Sequence, residues 1–132
     1  MANRRDNWTG SKWIRPEKRL AIYLRDGMAC AYCGVSVEDG GQMSLDHLKP
    51  ASNGGSNEAS NLVTCCRRCN SARQDRPVAS FAAGVADYLG VDVVDITGHI
   101  RNCRRRQPKL VEAKRLIARR GSAAKVLAEM AG

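Results

Sequence analysis

The sequence predicts a small α+β fold: two short strands and a helix gathered around two cysteine pairs, with one helix before them and a basic, mainly helical extension after. Three observations predict it. The pairs Cys30-x-x-Cys33 and Cys66-x-x-Cys69 repeat one spacing, separated by 32 residues. Between them lie two short apolar segments divided by a loop rich in Gly, Asn and Ser. Apolar residues at helical spacing then recur through the second half of the chain. The expected organisation is a flexible arm over residues 1–13, a compact domain over 14–90 and a basic extension over 91–132.

The elements follow in order. Ile14 to Arg25 reads as a helix: Pro16 suits a first turn, Leu20, Ile22 and Leu24 give apolar surface, and Gly27 can end it. Met43–His47 alternates at first and fits a strand, residues 50–58 are loop by composition, and Leu62–Thr64 is a second strand. A helix is expected from Asn70 towards Arg76, stopped by Pro77. Phe81, Val85, Tyr88 and Leu89 share a helical face, as do Ile96, Ile100 and Cys103, while residues 91–94 could be strand or turn. Leu110, Ala113, Leu116 and Ile117 mark an amphipathic helix ended by Gly121, and residues 122–132 could form one more. Trp8 and Trp13 are expected to tuck onto the domain.

Composition narrows the chemistry. In 132 residues the aromatic fraction is 5 %, with a single Phe, so the core is thin and a bound metal is the natural second source of stability. No apolar run approaches the roughly 20 residues that span a membrane, and seven basic residues among the first 30 argue against a secretory leader. The net charge is +9, and residues 101–132 carry 10 basic side chains against 2 acidic ones. A field of that sign draws polyanions, nucleic acid first, although a solvated basic helix has the same composition. The six cysteines come as close pairs without a leader, which fits a reducing, cytoplasmic compartment and metal ligation better than disulfides.

Two residues between paired cysteines let one turn offer both sulfurs to one ion, so Cys30, Cys33, Cys66 and Cys69 are expected to hold a structural Zn²⁺ tetrahedrally. Cys65 is expected to point elsewhere, Cys103 to be a core residue, and His99 to be structural or exposed. Between the pairs, Asp46-His47 ends the first strand, Asn61 precedes the second, and Asn70 follows the last cysteine. Singly these are a surface turn or core histidine, a loop residue and a helix cap; together they bring one carboxylate, one imidazole and a carboxamide to the place where strands meet helix.

Cys30-x-x-Cys33, Asp46-His47, Gly54-Gly55, Asn61-Leu62, Cys66-x-x-Cys69 and Asn70 make the run from Cys30 to Arg76, about a third of the chain, resemble the HNH endonuclease family with its ββα-metal core. His47, Asn61 and Asn70 occupy the three signature positions, with Asn in place of the last His. The resemblance implies an HNH nuclease domain over 14–90 that hydrolyses DNA phosphodiester bonds. His47 would be the general base, and Asp46 and Asn70 would hold one Mg²⁺ or Mn²⁺ that neutralises the phosphate and the departing 3′ oxygen. Asn61 would tie the loop so that His47 faces its target. Such chemistry leaves 5′-phosphate and 3′-hydroxyl ends.

Duplex DNA is the implied partner, gripped by Arg67, Arg68, Arg73 and Arg76 and, along the extension, by Arg104, Arg105 and Arg106. Small size and a basic tail are similar to phage-encoded members, which implies phage DNA processing or packaging, with packaging proteins as partners in a bacterial or phage-infected cell. The alternative is a zinc-stabilised nucleic-acid-binding module that does not cut.

Overall fold

The structure, a computed structural model, describes residues 13–131. The expected arm, apart from Trp13, lies outside the described residues, as does Trp8. Trp13 is not tucked in: it is 55 % exposed, with the Arg15 guanidinium over its ring. Ile14, the next residue, is the first of the described residues to enter the core.

Helix α1 (Pro16–Arg25) starts on its proline and buries Leu20, Ala21, Ile22 and Tyr23. Its last residue forms a buried ion pair with Asp26, Nε to Oδ1 at 2.7 Å. Arg25 also donates to the carbonyls of Ala59 and Leu62, and Asp26 accepts the Thr64 N–H. The pair therefore uses its buried hydrogen-bonding capacity to fasten the end of α1 to the start of the second strand.

Strands β1 (Met43–His47) and β2 (Leu62–Cys66) pair antiparallel, with Met43 opposite Cys66 and His47 opposite Leu62. Two strands alone are marginal in water; here each face is covered. On one side Val63 and Cys65 meet the first cysteine turn, Tyr32, Phe81, Ile96, Ile100 and Cys103. On the other, Leu45 and Leu62 meet Leu20, Ile22, Ala113 and Val126. Alternation along the strands produces this division.

Helix α2 (Arg67–Arg73) begins three residues before the expected Asn70, because Cys66 caps it, its sulfur accepting the Cys69 N–H. The second cysteine turn is thus the first turn of the helix. Helix α3 (Val78–Leu89) follows Pro77, and α4 (Val93–Arg105) is opened by Asp92, whose side chain accepts the Val94 N–H. That cap decides the ambiguous stretch 91–94 in favour of turn and helix. Helices α5 (Leu110–Arg120) and α6 (Ala123–Met130) pack on α1, and the Lys109 N–H bonds the Ala21 carbonyl. The basic extension therefore supplies both cores, through Ile96, Ile100 and Cys103 on one side and Ala113 and Val126 on the other. No described helix is long and apolar enough to cross a membrane.

Candidate active site and metal centre

Cys30, Cys33, Cys66 and Cys69 bring their sulfurs within 4.8 Å of one another. The Cys33–Cys66 sulfur separation is 3.8 Å. Thiolates about 2.3 Å from a tetrahedral ion stand about 3.8 Å apart, so the quartet fits one. Backbone N–H groups of Cys33 and Cys69 point at the sulfurs of Cys30 and Cys66. Hydrogen bonds from Cys65 and Cys69 draw the Cys30 thiol well below the ordinary thiol range, and the same contacts push Cys65 and Cys69 up. A bound cation favours the thiolate form of its ligands. Cys65 does not point away, contrary to expectation. Strand alternation turns it, with Val63, toward the quartet, and its thiol meets Cys30. Cys103 is fully buried in the core, and exposed His99 stands 3.5 Å from its sulfur.

A separate depression of about 520 Å³ is bordered by Asp46, His47, Asn70, Gln74 and Asp75. The structure thus brings Asp46, His47 and Asn70 to one cleft. Asn70 Nδ2 donates to Ser44 Oγ at 3.1 Å, so its amide is turned by the strand beneath it and Oδ1 keeps its lone pairs. His47 Nε2 meets Asn57 Oδ1 at 2.7 Å. Asp46 is 5 % exposed; its carboxylate accepts from Arg73 Nη1 at 2.6–2.7 Å and from the Tyr32 hydroxyl at 2.8 Å. Burial pushes the Asp46 carboxyl above the ordinary range, against the pull of Tyr32 and Arg73. Burial and the Asp46 charge push the Tyr32 phenol up as well. Oδ2 accepts from both Tyr32 and Arg73, whereas Oδ1 accepts from Arg73 alone and keeps a lone pair; through that oxygen, with Asn70, the cleft still fits a hard divalent cation that keeps several waters.

The loop between the strands is closed on itself. Asn61 Oδ1 accepts the Lys49 N–H at 2.9 Å, and Nδ2 donates to the carbonyls of Lys49 and Ser56. Gly55 packs so tightly that a Cβ would lie 1.7 Å from the Lys49 carbonyl oxygen. Gly55→Ala is expected to destabilise the fold by about 2–3 kcal/mol, the scale of an overpacked site, read as a lower denaturant midpoint. An unchanged midpoint would mean that the loop is not held in this form.

Arg73 overturns one expectation. It is 1 % exposed, and its guanidinium donates to Asp46, to the carbonyls of His47 and Leu48, and through Nε to Arg76. A side chain with its donors spent inside has none for DNA. Cys69, Asn70 and Arg73 share one face of α2, and that face meets the sheet. Arg67, Arg68 and Arg76 are exposed, but they do not converge on the cleft. Arg67 borders a depression near residues 39–42, Arg68 turns to the Cys33 sulfur, and Arg76 lies over the Phe81 ring. Arg104, Arg105 and Arg106 are exposed at the end of α4. Tyr32, Ser44 and Asn57 buttress Asp46, Asn70 and His47 without any spacing that sets them apart in the sequence.

Residues 30–82 match the HNH endonuclease family. The CRISPR-associated endonuclease Cas9 of Actinomyces naeslundii is 35 % identical over 93 residues, which are 68 % of this chain and 8 % of that protein. The corresponding protein of Corynebacterium diphtheriae is 37 % identical over 85 residues, 64 % of this chain and 8 % of its own length. The crystal structure of the Type II-C Cas9 enzyme from Actinomyces naeslundii aligns with a TM-score of 0.50 and 28 % identity, covering 97 % of this chain and 12 % of that one. The chain thus spans about a tenth of the length of these relatives. Matched both in sequence and in backbone, residues 30–82, with the two cysteine turns, are an HNH endonuclease domain.

Proposed function

We propose that the protein is a metal-dependent endonuclease that hydrolyses DNA phosphodiester bonds. The observation that carries this reading is the meeting of Asp46, His47 and Asn70 at one cleft. Hydrolysis needs a base to take a proton from water as its oxygen attacks phosphorus, while the bond to the 3′ oxygen breaks. His47 is that base, its imidazole offering a nitrogen lone pair to the proton. Asp46 and Asn70 would hold one Mg²⁺ or Mn²⁺, and such an ion supplies Lewis-acid neutralisation of the phosphoryl and leaving oxygens. Asn61 keeps the loop closed behind His47. The thiol quartet takes Zn²⁺, the ion to which four thiolates at tetrahedral spacing are suited. Plasmid incubated with Mg²⁺ or Mn²⁺ should be nicked or cut; no conversion with either ion refutes the reading.

The binding module that does not cut is favoured by one observation, the Arg73 cation already paired with Asp46. The same incubation separates the two: a binding module retains DNA in a gel shift and leaves the plasmid supercoiled. A role in phage DNA packaging, with packaging proteins as partners, rests only on small size and the basic extension.

Exposed Arg104, Arg105 and Arg106 are proposed to grip the phosphate backbone. Truncation is a poor test, because residues beyond 101 include buried Cys103, Ala113 and Val126. Changing the three arginines to Gln leaves the cores intact. The slope of log affinity against log salt should flatten by about 0.9 for each duplex phosphate that the variant no longer neutralises. An unchanged slope removes these residues from the interface.

A further inference from the structure

We infer that Asn57 is a positioning residue for His47: its carboxamide fixes the imidazole as the Nε2–H tautomer and so leaves Nδ1 as the proton-accepting nitrogen. This rests on His47 serving as the base. The Asn57 Oδ1 to His47 Nε2 distance is 2.7 Å. An amide oxygen only accepts, so the proton of that bond is on Nε2 and the lone pair of the neutral ring is on Nδ1. A base whose second nitrogen is pinned is held in both tautomer and ring orientation before substrate arrives, which is the condition for efficient proton transfer.

Asn57 is itself fixed from two directions. Lys18 of α1 donates from Nζ to the Asn57 backbone carbonyl. On the adjoining side the Ser56 carbonyl accepts Asn61 Nδ2, and Ser56 Oγ accepts the Glu58 N–H. The signature asparagine therefore acts on His47 at one remove: Asn61 closes the loop, and the loop presents Asn57. Lys18 extends the support to a helix that precedes the matched residues 30–82. These contacts hold the Asn57 backbone, and the carboxamide reaches the ring from that fixed stem.

Two readouts test this, one independent of catalysis. The chain contains two histidines, His47 and His99, so long-range proton–nitrogen spectra of uniformly ¹⁵N-labelled protein show two imidazoles, assigned with His99→Gln. Above neutral pH, His47 is expected as the Nε2–H tautomer in the wild type and in Asn57→Asp, whose carboxylate also only accepts. Asn57→Ala is expected to give a tautomer mixture. In Mg²⁺-dependent plasmid cleavage, Asn57→Ala should lower kcat by roughly 10- to 100-fold, with KM for DNA changed by less than about twofold. Asn57→Asp should recover most of the rate.

An Nδ1–H tautomer in the wild type overturns the inference, as does an Asn57→Ala protein with unchanged tautomer and kcat. So does an Asn57→Asp protein that folds and is as slow as the alanine variant. If the wild type cuts no DNA, the nuclease reading fails separately, and the tautomer spectra still decide whether Asn57 sets the ring.

Discussion

Cys30→Ser is expected to leave the protein unfolded at 25 °C, with less than one tightly bound zinc per chain. A structural site of this kind contributes on the order of 10 kcal/mol to folding, against a total stability of about 5–15 kcal/mol for an ordinary domain. The reserve is small here. The sheet has two strands, the aromatic content is low, and the quartet lies inside the apolar cluster that joins the first cysteine turn to α3 and α4. Losing one thiolate also leaves the remaining sulfurs crowded without the cation that suits them. The measurements are metal content by mass spectrometry and helicity by circular dichroism. Wild-type protein should lose its cooperative thermal transition on prolonged chelation and regain it with Zn²⁺. A folded protein without metal, or one with intact disulfides between these cysteines, would sink the assignment.

His47→Ala should lower the rate of DNA cleavage by roughly 10²- to 10⁴-fold, about 3–5 kcal/mol of lost transition-state stabilisation, the usual worth of a positioned general base. Folding should change little, because His47 is half-buried at the end of β1 and belongs to neither apolar cluster. DNA binding should persist, so the loss should fall on kcat. Equal cleavage by the two proteins would place the base elsewhere. Equal inertness across Mg²⁺ and Mn²⁺, with DNA still bound, would favour the binding module, in which Arg73 permanently answers the charge of Asp46.

Much of the site is legible in the sequence because its signals are local. Paired spacing announces the thiol quartet, since two residues between ligands is a property of one turn of chain. Alternation announces β1, and the meeting of Asp46, His47 and Asn70 follows from placing strand, loop, strand and helix in that order. Arg73 departs from expectation for a physical reason. A guanidinium on a short helix beside a basic stretch has the composition of a phosphate contact, and only the face that α2 turns to the sheet makes it the internal partner of Asp46. That face is recoverable in principle, because Arg73 lies three residues after Asn70. Asn57 is not recoverable. It stands in a loop rich in Gly, Asn and Ser, where nothing separates it from Asn53 until Gly55 packs against Lys49 and closes the turn.

The extension divides in the same way. Its helices are readable from periodicity and from Gly121, but their destinations are not. That Ala113 and Val126 seal the second face of a two-stranded sheet against α1 depends on packing between segments far apart along the chain. Amino-acid order alone determined which groups exist, how short stretches coil and which ions the thiols and oxygens suit, because these depend on neighbours along the chain. Packing decided which arginine is spent inside, which asparagine holds the imidazole and what covers each face, because burial is settled only when distant segments compete for the same apolar surface.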